Sequence, residues 1–217
     1  MNIIDTKASD FQMSSKKSYI KNIPLYELKS IEYKSPSDDY TDIVFQSTAA
    51  VEFFKDCNIL NEKNIYSMGR STKLSLLQKG FDSKNPDIPG SAGLIKVIEN
   101  RAKLGKFLIV KGKDGLDEVY QYLKNKKVEV DEVHCYERKK FDSYNNLKEP
   151  YLLADAIIFP STFAVRIFFE EIYSNKTKTK FFGISDRIVK TINNYGYEGL
   201  LIDYFSGEIE KQIKKFI

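Results

Sequence analysis

An α/β fold in two lobes is what this 217-residue sequence predicts, and three observations carry it. The stretch "DIVFQSTAAVEFF", Asp42 to Phe54, returns as "AIIFPSTFAVRIFF", Ala156 to Phe169, 114 residues further on. Ile43, Phe45, Ser47, Thr48, Ala50, Val51 and Phe54 meet identical residues, seven in twelve columns, which chance does not supply. Apolar runs of strand length alternate with segments of helical period, the pattern of parallel strands joined by helical crossovers. The later copy reaches Ile217 without the strands that a full sheet needs, so those strands must come from elsewhere in the chain.

Taken in order, "MNIIDTK" is a candidate strand, Ser14 to Lys21 a short helix, and "NIPLYELKSIEYK", from Asn22, one long strand. The first copy runs from its strand into its helix. Ile65 to Met68 then reads as a strand, and Ser71 to Lys79 as a helix closed by Gly80. Ser91 opens "SAGLIKVI", a serine-capped helix start. Phe107 to Lys111 is a buried-looking strand and Gly112 to Gly115 a loop. Leu116 to Lys124 is a helix with Leu116, Val119, Tyr120 and Leu123 on one face, and Val128 to Tyr136 alternates as a strand does. After the second copy, "TKFF" is a strand, Gly183 its end, and the next helix stops near Gly196. Gly69 with Gly183, Ser71 with Ser185 and Lys73 with Arg187 keep the spacing of 114, so the repeat covers two strand-helix units. "SGEIEKQI" from Ser206 echoes "SAGLIKVI" as a second serine-capped start.

The N-terminus offers the missing strands. The simplest architecture inserts a continuous domain, residues 35–136, into a discontinuous one made of residues 1–32 and 141–217. Segments near 29–34 and 134–140 then cross between them as a two-stranded linker. The expected fold is two flavodoxin-like parallel-sheet lobes hinged about a cleft, with the "FQST" and "FPST" turns as its two walls.

Composition narrows the function classes. With 42% hydrophobic and 29% charged residues the chain is of ordinary globular type, and no run approaches the ~18 apolar residues of a membrane span. The start, "MNIIDTKASDFQ", has no charged segment followed by an apolar one, so a cytoplasmic protein is expected. The net charge of +4 comes from lysines spread along helical segments, not from the dense patch that nucleic-acid binding uses. Cys57 and Cys135 form no CxxC pair and stand with no histidine cluster, which argues against a zinc site or a disulfide framework. His134, the one histidine, reads as structural, and no Ser-His-Asp or Cys-His arrangement can be built. The absence of a heptad or long apolar stripe leaves a monomer as the expectation.

The ordered series "IPLYELKSIEY", "DIVFQSTAAVEFF", "YSMGRSTKLSLLQKGF", "LIVKGKDGLDEVYQYLKNKKVEVDEVHCYER", "AIIFPSTFAVRIFF" and "FFGISDRIVKTINNYGY" resembles uroporphyrinogen-III synthases over almost the whole chain. The resemblance implies a cytoplasmic lyase of tetrapyrrole and heme biosynthesis. Its substrate would be linear hydroxymethylbilane, which loses water and closes as uroporphyrinogen III with its last pyrrole ring inverted. It also implies neither metal nor organic cofactor, no membrane and no nucleic acid, and a transient hand-over of substrate from the preceding pathway enzyme.

A substrate of eight carboxylates needs many hydrogen-bond donors. The strand-to-helix turns at Ser47-Thr48, Arg70-Ser71-Thr72, Ser161-Thr162 and Ser185 fall at the carboxyl ends of parallel strands, the edge where open α/β sheets bind ligands. Each serine or threonine reads equally as a plain helix cap, and both roles are compatible. Lys111 and Lys113 flank Gly112 on the same expected edge, and Lys7 keeps the charge of the Thr-Arg opening that the resemblance implies. Asp186 stands where relatives carry a second threonine and reads as a cap or a partner of Arg187. Tyr136 matches the tyrosine proposed to assist the departing hydroxyl, and a phenol of pKa ~10 is protonated at neutral pH and can donate to it. Because the pyrrole nitrogen can expel that hydroxyl unaided, positioning is the expected source of catalysis, with Tyr136→Phe keeping some activity. The competing expectation is a non-catalytic two-lobed binder of anionic ligands. A doubled receiver-like domain is weaker, since its strand ends lack paired acidic residues.

Overall fold

The computed structural model describes residues 1–8, 20–174 and 178–217. In chain order its elements are β1 (Ile3–Asp5), β2 (Ile20–Asn22), β3 (Tyr26–Ser30), β4 (Asp42–Phe45), α1 (Thr48–Phe53), β5 (Asn64–Ser67), α2 (Arg70–Gln78), α3 (Ser91–Ile98) and β6 (Phe107–Gly112). There follow α4 (Glu118–Asn125), β7 (Val130–Lys140), α5 (Asn145–Leu152), β8 (Ala156–Phe159), α6 (Thr162–Ile167), β9 (Lys180–Gly183), α7 (Asp186–Asn194), β10 (Gly199–Leu201) and α8 (Ile209–Ile213). The strands form two sheets, in the orders β10-β9-β8-β1-β2 and β3-β7-β6-β4-β5. Every pair of defined register is parallel. The chain divides into two compact units, unit 1 of residues 1–27 with 139–217 and unit 2 of residues 28–138.

In unit 2 the central strands β4 and β6 are buried along their whole length, as parallel strands covered on both faces must be. One face packs Ile43, Phe45, Leu108 and Val110 against Ala50 and Val51 of α1 and Leu76 of α2. The other packs Val44, Phe107 and Ile109 against Leu94 and Ile98 of α3 and Val119 and Leu123 of α4. Alternate residues of one strand thus serve opposite cores. In unit 1, Ile3, Ala156, Ile158 and Phe182 share a core with Ile202 and with Ile213 of α8. A π-helical turn, Phe168–Ile172, extends α6, and its Phe168 lies 5.5 Å from Phe159 and 5.7 Å from Tyr151.

The strand registers show that the repeat is circularly permuted. β8 pairs with β9 as β4 pairs with β5, but the spacing of 114 holds only between β4 and β8: β5 and β9 lie 116 apart, as do the N-caps Gly69 and Ser185, so the expected matches of Gly69 with Gly183 and Ser71 with Ser185 are two residues out of step. β1 then lies beside β8 as β6 lies beside β4, Ile3 facing Ala156 and Phe107 facing Asp42. β2 and β7 flank these in turn, Ile20 beside Ile3 and Val130 beside Phe107. The N-terminal strands thus hold the places in unit 1 that β6 and β7 hold in unit 2.

Several expectations need correction. "NIPLYELKSIEYK" is not one strand: β3 begins at Tyr26, and the preceding β2, Ile20–Asn22, belongs to the other sheet. Pro24, which has no N–H for a ladder, lies between them. Neither Ser91 nor Ser206 is a helix cap. Gly90 precedes α3, so Ser91 is its first helical residue and its hydroxyl bonds Glu118 at 2.5 Å. Glu208 precedes α8, and Ser206 instead accepts from the Glu208 amide at 3.2 Å. Leu116 falls outside α4, which starts two residues later, and is exposed. β10 and α5 were not expected; in the first copy, the place of β10 shrinks to a single parallel bridge between Tyr66 and Lys84. The helix expected over Ser14 to Lys21 lies largely outside the described residues. Among those described, no helix is long and apolar enough to cross a membrane.

Candidate functional site

The carboxyl edge of unit 2 is built on the turn that follows β4. Ser47 takes extended backbone angles, and its Oγ accepts the Ala50 amide at 3.0 Å, the geometry of an N-cap for α1. The same Oγ lies 2.9 Å from the hydroxyl of Tyr136, which β7 brings to the edge. Tyr136 is buried, and its ring stacks on Phe53 at 5.8 Å. Beneath that ring is Gly112, where an added Cβ would come within 2.6 Å of the phenol Cζ. Gly112 is therefore the seat of the tyrosine. The Lys113 amide donates to the Tyr136 carbonyl at 2.8 Å and fixes the loop to the strand.

Lys111 enters this edge in a different role from the one expected. Its side chain is buried, and Nζ is held by Asp117 and, at 2.8 Å, by Glu132. Burial works against its charge, but the hydrogen bonds and charges of the two carboxylates outweigh it and raise the pKa above the ordinary lysine value. The ammonium clamps the loop 112–117 from inside. Gln46, missed by the sequence reading, is a second clamp: its Nε2 donates to the Leu116 carbonyl at 3.0 Å. No sequence signal marked it, since the second copy has Pro160 at that place.

The remaining candidates of unit 2 are dispersed along the edge. Lys113 is exposed, with Glu137 at 3.6 Å, and Thr48 is half-buried as the first residue of α1. At the end of β5, Gly69 is the N-cap of α2 and supplies no side-chain bond. Arg70 is exposed there, Ser71 half-buried and Thr72 buried, turned into the unit. His134 is 3.7 Å from Glu132, within the group that holds Lys111. Cys135 is buried and its thiol is pushed up to about 12 by that burial, so it is not a nucleophile at neutral pH.

Unit 1 repeats the turn. Ser161 caps α6 through the Ala164 amide at 3.1 Å, in the same extended conformation as Ser47, and Thr162 follows as the first helical residue. Lys7 follows β1, its amide donating to Asp5 Oδ1 at 3.0 Å and its carbonyl accepting from Asn22 Nδ2 at 2.9 Å. Asp5 is buried and also accepts the Tyr204 hydroxyl. Burial raises its pKa, while the Tyr204 and Lys7 hydrogen bonds pull against that rise. Ser185 occupies the N-cap position of α7 without a side-chain bond to the helix, and exposed Asp186 takes the first helical position, which the positive end of the helix favours.

Each edge thus collects hydroxyl and amide donors with a lysine nearby, suited to carboxylates. The profile of the uroporphyrinogen-III synthase HemD family matches residues 22–203. A crystal structure of uroporphyrinogen-III synthetase from Helicobacter pylori is similar with a TM-score of 0.73 at 14% identity, over 99% of both chains. A mutant uroporphyrinogen III synthase from Thermus thermophilus is similar with a TM-score of 0.58 at 12% identity, over 90% of this chain and 88% of that one. No curated protein matches the sequence.

Proposed function

The chain belongs to the uroporphyrinogen-III synthase family, and from that premise we propose that it closes hydroxymethylbilane to uroporphyrinogen III as a cytoplasmic hydro-lyase of tetrapyrrole biosynthesis. The observation that carries the reading of the site is the Tyr136–Ser47 pair, two hydroxyls 2.9 Å apart at the carboxyl edge of a parallel sheet. Two hydroxyls have two hydrogens, and their mutual bond uses one. The pair therefore keeps one O–H for a ligand.

In the reaction the pyrrole nitrogen lone pair expels the terminal hydroxyl. The C–O bond breaks, the oxygen takes a proton and leaves as water, and an azafulvene cation remains. The hydroxyl pair donates to the departing oxygen, which lowers the barrier without requiring a strong acid. The substituted carbon of the last ring then attacks that cation to give a spiro centre, the bond from that carbon to its original methylene breaks and re-forms at the unsubstituted ring carbon, and loss of the proton from that carbon gives the neutral, inverted isomer. Holding the chain so that this carbon attacks is a matter of position, the effect worth most in such sites. Thr48, Arg70, Ser71, Lys113 and, in unit 1, Lys7, Ser161, Thr162 and Ser185 are proposed to receive the carboxylates, Lys111 and Gly112 to shape the loop beside them, while Thr72, turned into the unit, is left a packing role.

We read both units as flavodoxin-like lobes, a reading supported by strand order. Counted within unit 1, β2-β1-β8-β9-β10 is the order 2-1-3-4-5. The inserted-domain scheme, residues 35–136 within 1–32 and 141–217, is supported by β1 and β2 lying in one sheet with β8 to β10. Neighbouring β3 and β7 support a two-stranded linker over 29–34 and 134–140. The proposed enzyme works as a monomer without metal or organic cofactor.

Freshly prepared hydroxymethylbilane, given to the purified protein and followed by oxidation and separation of uroporphyrin isomers, tests the reading. Isomer III is expected from the wild type, and from Tyr136→Phe at a reduced rate still above the enzyme-free one. Isomer I alone, formed at the spontaneous rate by the wild type, would refute it.

A further inference from the structure

One residue of unit 2 holds both ends of the loop that carries Lys113. The Gln46 amide donates to the Val110 carbonyl at 3.1 Å, ahead of the loop, and its Nε2 donates to the Leu116 carbonyl at 3.0 Å, on the loop's far limb. Between those two points the chain reverses. The Gly115 amide donates to the Gly112 carbonyl at 2.9 Å, the bond that closes a β-turn, so Lys113 and Asp114 stand at its two central positions, both exposed. The turn is tight where the clamps meet it: a Cβ on Gly115 would come to 3.0 Å from Lys111 Cε and 3.1 Å from Gln46 Oε1.

The two clamps act on different limbs of this turn. Lys111 belongs to β6 and precedes Gly112, the glycine that seats the Tyr136 ring. Gln46 grips the limb after the turn, and through Ser47, its neighbour in the chain, ties that limb to the Ser47–Tyr136 pair. Lys113 has Glu137 at 3.6 Å, an exposed ion pair of the kind worth little in water, so a substrate carboxylate can take the place of Glu137. A loop held beforehand does not have to be ordered at the moment of binding, and affinity rises by what that ordering would have cost.

We propose that Gln46 is a positioning residue of the enzyme, fixing the turn Gly112–Gly115 so that Lys113 is already in place for a substrate carboxylate. This rests on the synthase reading above. It separates the two clamps by what they govern: Lys111 the seat of Tyr136 and with it turnover, Gln46 the placing of Lys113 and with it binding. A contact kept equally in the bound and transition states appears in KM and leaves kcat alone.

Steady-state kinetics on hydroxymethylbilane with Gln46→Met, Lys113→Ala, the double variant and Gln78→Met tests this, with urea unfolding and amide hydrogen exchange of each. Methionine keeps the length of the glutamine side chain and removes its donor. Gln78, exposed at the end of α2, is the control. Gln46→Met is expected to raise KM about fivefold, as loss of one ordinary hydrogen bond does, with kcat within about twofold and the amides of residues 113–116 exchanging faster. The double variant should be no worse than Lys113→Ala, and Gln78→Met should change neither constant. An unchanged KM or unchanged exchange in Gln46→Met, an equal rise in KM in Gln78→Met, or effects of Gln46→Met and Lys113→Ala that multiply would each overturn the proposal. Failure of the wild type to make isomer III would instead overturn the synthase reading.

Discussion

The two units share a strand order and a turn, yet they bury their charges in different places. Where β4 of unit 2 opens with Asp42, the matching residue of β8 in unit 1 is Ala156. Where β1 of unit 1 ends on Asp5, the matching residue of β6 in unit 2 is Ile109. Asp42 is fully buried and completely partnered: Arg101 grips it with Nε at 3.2 Å and Nη2 at 3.1 Å, and Tyr66 donates at 3.1 Å. Gly105 makes room for it, since a Cβ there would meet Oδ2 at 2.2 Å. Burial and the Asp42 charge push the Tyr66 phenol up to about 12. At the amino end of its sheet unit 1 has Ala156 in that place and an exposed carboxylate, Asp155, which accepts the Asn2 amide at 2.7 Å; its buried carboxylate is at the carboxyl end. The fold tolerates a charge at either end, provided every lone pair finds a donor.

The largest expected effect tests whether the Asp42 network is integral to unit 2. Asp42→Ala leaves Arg101 and the Tyr66 hydroxyl facing a site built for a carboxylate, and should cost about 3 kcal/mol, the low end for a buried pair because Arg101 is partly exposed. Urea unfolding should then split into two transitions, the earlier belonging to unit 2; a single transition at the wild-type midpoint would break the contrast.

Next in size is Lys111→Met, which removes the inner clamp of the loop 112–117. The expected loss is about 2 kcal/mol, below the ~3–5 kcal/mol of a fully enclosed pair, because Asp117 stays largely exposed to water. Activity should fall through slower turnover, since Gly112 seats Tyr136 at the head of that loop. Wild-type kcat in a variant of reduced stability would show that the loop does not set the tyrosine.

Smallest is Asp5→Asn. The folded pKa of Asp5 is raised, chiefly by burial, so its contribution to stability is fully present below the unfolded carboxylate value of ~3.9 and is lost as pH rises through the folded one. An amide at this place escapes that loss. The variant should melt about 2 °C higher at pH 7 and match the wild type near pH 3; a gain of the same size at both would refute the assignment.

Much of the fold was legible because it is periodic. Ile43, Phe45 and their counterparts 114 residues on are central strands, and apolar runs report burial on both faces directly. Pro24 was legible in principle as a break, but the apolar and charged residues around it kept the alternation of a strand. β10 was missed because its burial is partial and "GLL" carries no turn-bounded apolar run. In the site, Ser47 and Ser161 were readable as caps from their place before a helix. Gln46 was not, because the second copy has Pro160 at its place and so offers no echo of it.

Local chemistry marked the turns at Ser47 and Ser161, which are extended before a helix and accept the amide three residues on, although Ser185 in the same conformation makes no such bond. The repeat and the alternation of strand and helix segments determined the α/β class, and the ordered motifs carried the family likeness. Only tertiary structure decided what each donor does. Lys111 and Lys113 are two residues apart in sequence, yet one is buried between two carboxylates and the other is exposed. Residues two apart in a strand would share a face, so the difference comes from where β6 ends: Lys111 is still within the sheet, where Asp117 and Glu132 reach it, and Lys113 lies on the loop beyond Gly112.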